Sequence, residues 1–148
     1  MIKFVGEYTV KLDDKGRLIF PSQLKSLFNG DEIISFVVKK ELFSECLEMY
    51  TSSEWTRTSE EVKSRLNFFN REHSAFWREY MRDRAVIEPD KKLGRVTIPK
   101  RLLEMIGVSK EVVFAGNDHK IEIWAKERFE VNKMNSSDFT ALAEKILG

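Results

Sequence analysis

The sequence predicts an α+β fold, mainly β, in which a duplicated unit interleaves its strands into one barrel, with a helical insert between the copies. Three observations carry that expectation. The stretch KLDDKGRLIFP near the start returns as EPDKKLGRVTIP in the second half, with Gly16 and Gly94, Arg17 and Arg95, and Pro21 and Pro99 each 78 residues apart. Both copies continue into alternating runs rich in β-branched and aromatic residues. Between them, residues 51–87 contain neither Pro nor Gly and repeat their apolar residues at helical spacing.

Each copy reads as strand, turn, strand, short helix, strand, strand over about 45 residues. Gly16 and Gly94 fall where a tight turn is expected, because glycine reaches positive φ without steric cost. After Pro21 comes SQLKSLF, and after Pro99 comes KRLLEMI, each followed by a glycine, Gly30 or Gly107. Proline near the start and glycine just past the end bracket a two-turn helix. The next runs are IISFVV (33–38) with CLEMY (46–50), and EVVFAG (111–116) with KIEIW (120–124). Trp55 and Phe129 close the two copies, where the offset has shrunk to 74 because the loops differ in length. A unit this small cannot close a stable core alone, so two units sharing strands about a pseudo-twofold axis is the economical architecture.

In the insert, Trp55, Val62, Leu66, Phe69, Phe76 and Tyr80 mark a helical stripe. Thr51-Ser52-Ser53-Glu54 fits a capping box, and Asn67-Phe68-Phe69-Asn70 fits a break between two helices. The stripe holds more large aromatics than one helix needs, which leaves two readings open: core, or a contact with a neighbouring subunit. At the end, Phe139, Leu142, Ile146 and Leu147 outline a short amphipathic helix, docked on the same chain, docked on a neighbour, or frayed.

Composition narrows the function. With 148 residues, 42% hydrophobic and 33% charged, the chain is an ordinary globular domain. No stretch has the length of a signal peptide's apolar run or of a membrane span, so a cytoplasmic protein is expected. Cys46 has no second cysteine to pair with and reads as a small buried hydrophobe. His73 and His119 stand outside any metal-ligand spacing, and no phosphate-binding glycine loop or nucleophile elbow occurs. Asp13, Asp14, Glu88 and Asp90 lie beside basic residues, where ion pairing explains them better than catalysis. No enzyme, cofactor, metal or small-molecule substrate is expected.

Net charge is only +1, yet Arg78 to Arg101 holds eight basic residues against four acidic ones. Arg17 and Arg95 should project from the first position of a strand after each turn, able to offer a planar fork to phosphates or to guanine. Asp13, four residues before Arg17, can hold that guanidinium in one orientation. One such turn would be a charged surface hairpin. Two copies with matched Pro and helix, and a basic stretch around the second, point to nucleic-acid binding, with Lys15, Gly16, Arg17, Lys91, Lys92, Gly94 and Arg95 as the candidate contacts and Asp13 as the orienting residue.

Over GEYTVKLDDKGRLIFP, FVVKKELFSECLEMYTSSEW, the helical insert, GRVTIPKRLLEMIG and KIEIWAKERFE, the chain resembles the MraZ family of bacterial transcriptional regulators, built from two SpoVT-AbrB (swapped-hairpin) units in a double-split β-barrel. The resemblance implies units over 6–53 and 84–130, a connector over 54–83 and a partly helical tail over 131–148. It also implies a cytoplasmic, nucleoid-associated repressor of the division and cell-wall gene cluster, which binds G-rich repeats in double-stranded promoter DNA as a ring of many subunits. The family's DxxxR motif falls on Asp13 to Arg17. In the second copy Lys91 stands four before Arg95 and the aspartate, Asp90, five before, so that loop has either gained a residue or lost its aspartate. Two other classes compete: an antitoxin-like module working through its tail, and a structural oligomer without specific DNA binding.

Overall fold

The structure, a computed structural model, describes residues 2–28, 35–90 and 94–148. In chain order the first unit contains β1 (Glu7–Lys11), β2 (Arg17–Ile19), α1 (Ser22–Lys25), β3 (Phe36–Lys40) and β4 (Leu47–Thr51). The insert contains α2 (Ser52–Ser64) and α3 (Arg71–Tyr80). The second unit repeats the order with β5 (Arg84–Ile87), β6 (Arg95–Thr97), α4 (Lys100–Met105), β7 (Glu111–Asn117) and β8 (Lys120–Ala125), and the chain ends with α5 (Lys126–Val131) and α6 (Ser136–Leu147). The fold is α+β and mainly β.

Six strands form one antiparallel sheet in the order β1-β7-β8-β4-β3-β5. Reading that order backwards exchanges each strand with its counterpart in the other unit. At the centre of the sheet Glu48 of β4 stands opposite Glu122 of β8, and in a separate ribbon Leu18 of β2 stands opposite Val96 of β6. In both places a residue faces its own repeat partner, which is what a local twofold axis requires. The first strand of each unit pairs with the third strand of the other: β1 lies on β7 and β5 on β3. Each unit therefore lacks a sheet edge that only the other supplies.

One closed barrel was expected; among the described residues the ladders form two sheets, the six-stranded one and the two-stranded β2–β6 ribbon. Side chains join them instead of hydrogen bonds. Leu18, Phe20, Val96 and Ile98 from the ribbon strands and their ends pack with Phe36, Val38, Met49, Phe114, Ile121 and Ile123 of the large sheet. The rings of Phe20 and Phe36 are 5.5 Å apart, and Phe20 meets Phe114 edge-on at 5.9 Å. Helices α1 and α4 seal the core with Leu24, Leu102 and Leu103.

The sheet's outer face is covered unit by unit. Val37, Tyr50, Trp55 and Tyr80 form one cluster beneath α2 and α3, and Cys46, Val113, Ala115 and Trp124 form another with Phe129 of α5 against it. Trp55 and Phe129 thus occupy equivalent posts. Cys46 is fully buried, and burial pushes its thiol up to about 12, so it behaves as a hydrophobe.

Local signals decide the helix ends. Pro21 and Pro99 take the N-cap position of α1 and α4. The first of these helices spans only four residues before the chain turns, shorter than the two turns expected. The glycine after it, Gly30, and the first residues of the run at 33–38 lie outside the described residues. Gly107 ends α4 at φ +74. Thr51 caps α2 by accepting the Glu54 N–H, but the Glu54 carboxylate turns to Arg57, so one arm of the expected capping box is made. The break at 67–70 is present: Asn70 accepts the N–H groups of Glu72 and His73 to start α3, and the Asn67 N–H donates to His73 Nδ1.

The insert's aromatic stripe divides. Trp55 and Tyr80 are buried and stacked 5.9 Å apart, whereas Phe68, Phe69 and Phe76 are exposed, Phe69 completely. Helix α6 buries none of its residues, and Phe139, Leu142, Ile146 and Leu147 all face solvent, so docking on its own chain is not what the structure shows.

Candidate nucleic-acid interface

The first turn is built by Asp13. Its backbone N–H donates to the Arg17 carbonyl at 2.9 Å, and its own carbonyl accepts the Gly16 N–H at 3.0 Å. Gly16 closes the turn at φ +75, a conformation that costs a side-chain-bearing residue about 1–2 kcal/mol. The Asp13 carboxylate then does two jobs. Oδ1 accepts the N–H groups of Lys15 (2.9 Å) and Arg17 (2.8 Å), and Oδ2 accepts Arg17 Nε–H at 2.8 Å. The Arg17 N–H bond chiefly, opposed by partial burial and helped by the guanidinium and the Lys15 N–H, holds this carboxyl below its ordinary value. Because the contact uses Nε, Asp13 holds Arg17 in one orientation and leaves the two terminal nitrogens of the fork out of the pair.

The second turn repeats the backbone pattern. Asp90 N–H donates to the Arg95 carbonyl and the Asp90 carbonyl accepts the Gly94 N–H, both at 2.7 Å, with Gly94 at φ +66. Asp90 is therefore the counterpart of Asp13, and the loop has gained one residue. Lys91 and Lys92 lie outside the described residues.

The pairing of β2 with β6 decides how the two turns relate. Arg17 stands opposite Thr97, and Ile19 opposite Arg95. Since alternate residues share a face, Arg17, Ile19, Arg95 and Thr97 all lie on one side of the ribbon, while Leu18 and Val96 point into the core. Strand geometry sets the Cα atoms of the two arginines about 8–9 Å apart on a diagonal. The Arg17 side chain is one-third exposed and Ile19 is 60% exposed. Among the described residues the Arg95 side chain has no hydrogen bond or ion pair. A two-stranded ribbon of this kind fits the ~12 Å width of a DNA major groove.

The basic stretch around the second turn is partly neutralised. Arg82 pairs with Glu79, Lys100 with Glu104 and Arg101 with Asp83, at 3.5, 3.9 and 3.4 Å. Arg84 lies over the Trp55 ring. Counting charges along the chain overstates what faces the ribbon. Among the described residues no group of three or more His, Cys, Asp or Glu could hold a metal ion. No helix there is long and apolar enough to cross a membrane.

Sequence reasoning missed a buried ionic cluster at the twofold centre. Glu48 Oε2 accepts the Tyr50 hydroxyl and the Lys120 ammonium, each at 2.6 Å, and Oε1 lies 3.8 Å from Lys39 Nζ. Lys39, only 2% exposed, also donates to its neighbour's carbonyl and sits 4.4 Å over the Tyr80 ring. Burial, opposed by Glu48, holds Lys39 below an ordinary lysine; burial also pushes Lys120 down, but the bonded Glu48 carries it above. Burial, then its bond to Glu48, drives the Tyr50 phenol well up. The available signal was Glu48 and Glu122 recurring at the same place between apolar neighbours, Leu47 and Met49 in one copy and Ile121 and Ile123 in the other.

A family model described as "MraZ protein, putative antitoxin-like" matches residues 3–79 and 83–147. The chain is 37% identical over 147 residues to a Bacteroides thetaiotaomicron protein named transcriptional regulator MraZ, covering 99% of this chain and 94% of that one. It is 36% identical over 143 residues to a protein of the same name from Clostridium acetobutylicum, covering 97% and 96%. With the family model spanning nearly all of the duplicated fold and these relatives matching end to end, the chain belongs to the MraZ family.

Proposed function

We propose that the chain is a sequence-specific DNA-binding transcriptional regulator that occupies a promoter through the outer face of the β2–β6 ribbon. One observation carries this reading: Arg17 and Arg95, from separate copies of the duplication, stand on one exposed ribbon face. Arg17, preset by Asp13, reads the O6/N7 edge of guanine, and Lys15 with Lys91 and Lys92 neutralises phosphate. Gly16, where a Cβ would meet nothing within 4 Å, lets the backbone of the first turn come close to the DNA. The name that the relatives carry, transcriptional regulator, supports the regulatory role.

The finer reading follows the family. Units 6–53 and 84–130 are SpoVT-AbrB modules of a double-split barrel, joined by 54–83 and followed by 131–148. Several subunits assemble as a ring, so that repeated G-rich boxes upstream of the division and cell-wall genes are engaged together and effective concentration multiplies a weak single contact. The protein acts as a cytoplasmic, nucleoid-associated repressor without catalysis or cofactor. The exposed aromatics Phe68, Phe69 and Phe76 and the apolar stripe of α6 are the surfaces such an assembly would cover.

The test is a gel-shift series with Arg17→Ala on the promoter upstream of the protein's own gene and on a scrambled duplex. Loss of guanine reading costs about 1–3 kcal/mol of discrimination between the two. A variant that binds both duplexes as the parent does ends the proposal. The exposed stripe of α6 also suits an antitoxin-like module; stoichiometric recovery of a small partner bound to the tail, with no promoter retention, would replace the DNA reading.

A further inference from the structure

The two Gly-Arg turns differ in what stands over the glycine. At Gly16 a Cβ would meet nothing within 4 Å. At Gly94 it would lie 3.1 Å from Lys25 Nζ, 3.6 Å from Lys25 Cδ and 3.8 Å from Cε. Lys25 belongs to α1 of the first unit, while Gly94 opens β6 of the second. The Lys25 stem therefore lies over the α-carbon of the opposite unit's turn and brings its ammonium to Gly94.

The local backbone holds this arrangement. The Phe20 N–H donates to the Gly94 carbonyl at 2.7 Å, which ties the second turn to the chain just ahead of α1. The Lys25 N–H and the Leu24 N–H both donate to the Pro21 carbonyl, fixing the helical turn that carries the lysine. Lys25 is exposed, and among the described residues its ammonium makes no hydrogen bond or ion pair. Lys25 and Arg95 thus bring two positive charges to the second turn, neither in an ion pair among the described residues. The matching position in the second unit, 78 residues on, is Leu103, which is buried in the core. The duplication thus kept the helix in both copies and a lysine in one.

We propose that Lys25 is a phosphate-binding residue of the second turn, supplied across the duplication by the other unit. With Arg95 it forms a two-cation clamp for one backbone phosphate of DNA, and the absence of a side chain at Gly94 leaves room for the lysine stem. The first turn has no such clamp, because nothing stands over Gly16. The two ends of the ribbon consequently have different tasks: Arg17 addresses bases, whereas the Gly94 end grips the sugar-phosphate chain and sets the register.

This inference rests on the DNA reading above, and the experiment separates the two. Equilibrium binding to a labelled duplex from the promoter upstream of the protein's own gene is measured over a salt series for the parent, Lys25→Met, Lys25→Arg, Arg17→Ala and Lys63→Met, the last an exposed lysine on α2. Lys25→Met keeps the stem but not the charge. It is expected to weaken binding several-fold at low salt and to flatten the slope of log K against log salt by about 0.9 for each lysine removed. Lys25→Arg should keep the parent slope, and Lys63→Met should match the parent. If Lys25→Met matches the parent while Arg17→Ala is weakened, Lys25 merely packs on the glycine and the inference falls with the DNA reading intact. If neither variant departs from the parent, the ribbon is not the DNA surface and both fall.

Discussion

Replacing Glu48 by Gln removes the carboxylate shared by Lys39, Lys120 and Tyr50 while keeping the side chain's shape. Lys120 is the more exposed lysine and can swing toward water, so the cost concentrates on Lys39, whose side chain is 3% exposed. Breaking one side of a buried pair costs about 3–5 kcal/mol. The penalty has a ceiling, because Lys39 can shed its proton: neutralising an ordinary lysine at pH 7 costs about 4.8 kcal/mol, and burial has already lowered this one. The carbonyl it donates to and the Tyr80 ring beneath it lower the cost further, to roughly 3 kcal/mol, which for a chain of this length is a fall of about 6–12 °C in melting temperature. Urea unfolding with calorimetry measures it. The sign with pH is also fixed. A lysine whose folded pKa lies below its unfolded one binds more protons when unfolded, so Glu48→Gln should regain stability as pH rises through the window below an ordinary lysine's value. The double variant Lys39→Met/Glu48→Leu should return to within about 1 kcal/mol of the parent. A Glu48→Gln protein as stable as the parent, with no added pH dependence, would refute the claim that this carboxylate holds the cluster.

Asp13→Asn should melt close to the parent yet bind promoter DNA more weakly, though more tightly than Arg17→Ala, since Asn supports the turn but cannot pair with the guanidinium; gel shifts and melting curves side by side decide it. Gly116→Ala should destabilise by more than 2 kcal/mol in urea titration, because the new methyl would fall 2.5–2.8 Å from the backbone of Phe4 and Val5, where no side chain can yield. Alkaline pH should unfold the protein: Cys46, Tyr50 and Tyr80 keep their protons in the fold beyond their usual values, and the unfolded chain releases them first. For Cys46 alone the loss approaches about 1.4 kcal/mol per pH unit between pH 9 and its folded value near 12, so Cys46→Ala should flatten the stability profile over that range.

The duplication, the turn at each Gly-Arg pair, the caps of the inserted helices and the burial of Cys46 were all legible in the residues, because each depends on neighbours a few positions away. The Asp13–Arg17 contact was legible for the same reason: a turn brings residues four apart together. Tertiary structure alone decided that β1 pairs with β7 and β5 with β3, that Arg17 and Arg95 share a ribbon face, and that the ribbon is joined to the sheet by packing instead of ladders. It also decided whether the second loop had gained a residue, since only the bonds from Asp90 to Arg95 and Gly94 fix that register. The Glu48 cluster and the reach of Lys25 to Gly94 join residues from opposite halves of the chain, and no periodicity along one strand or helix encodes a contact made across a twofold axis.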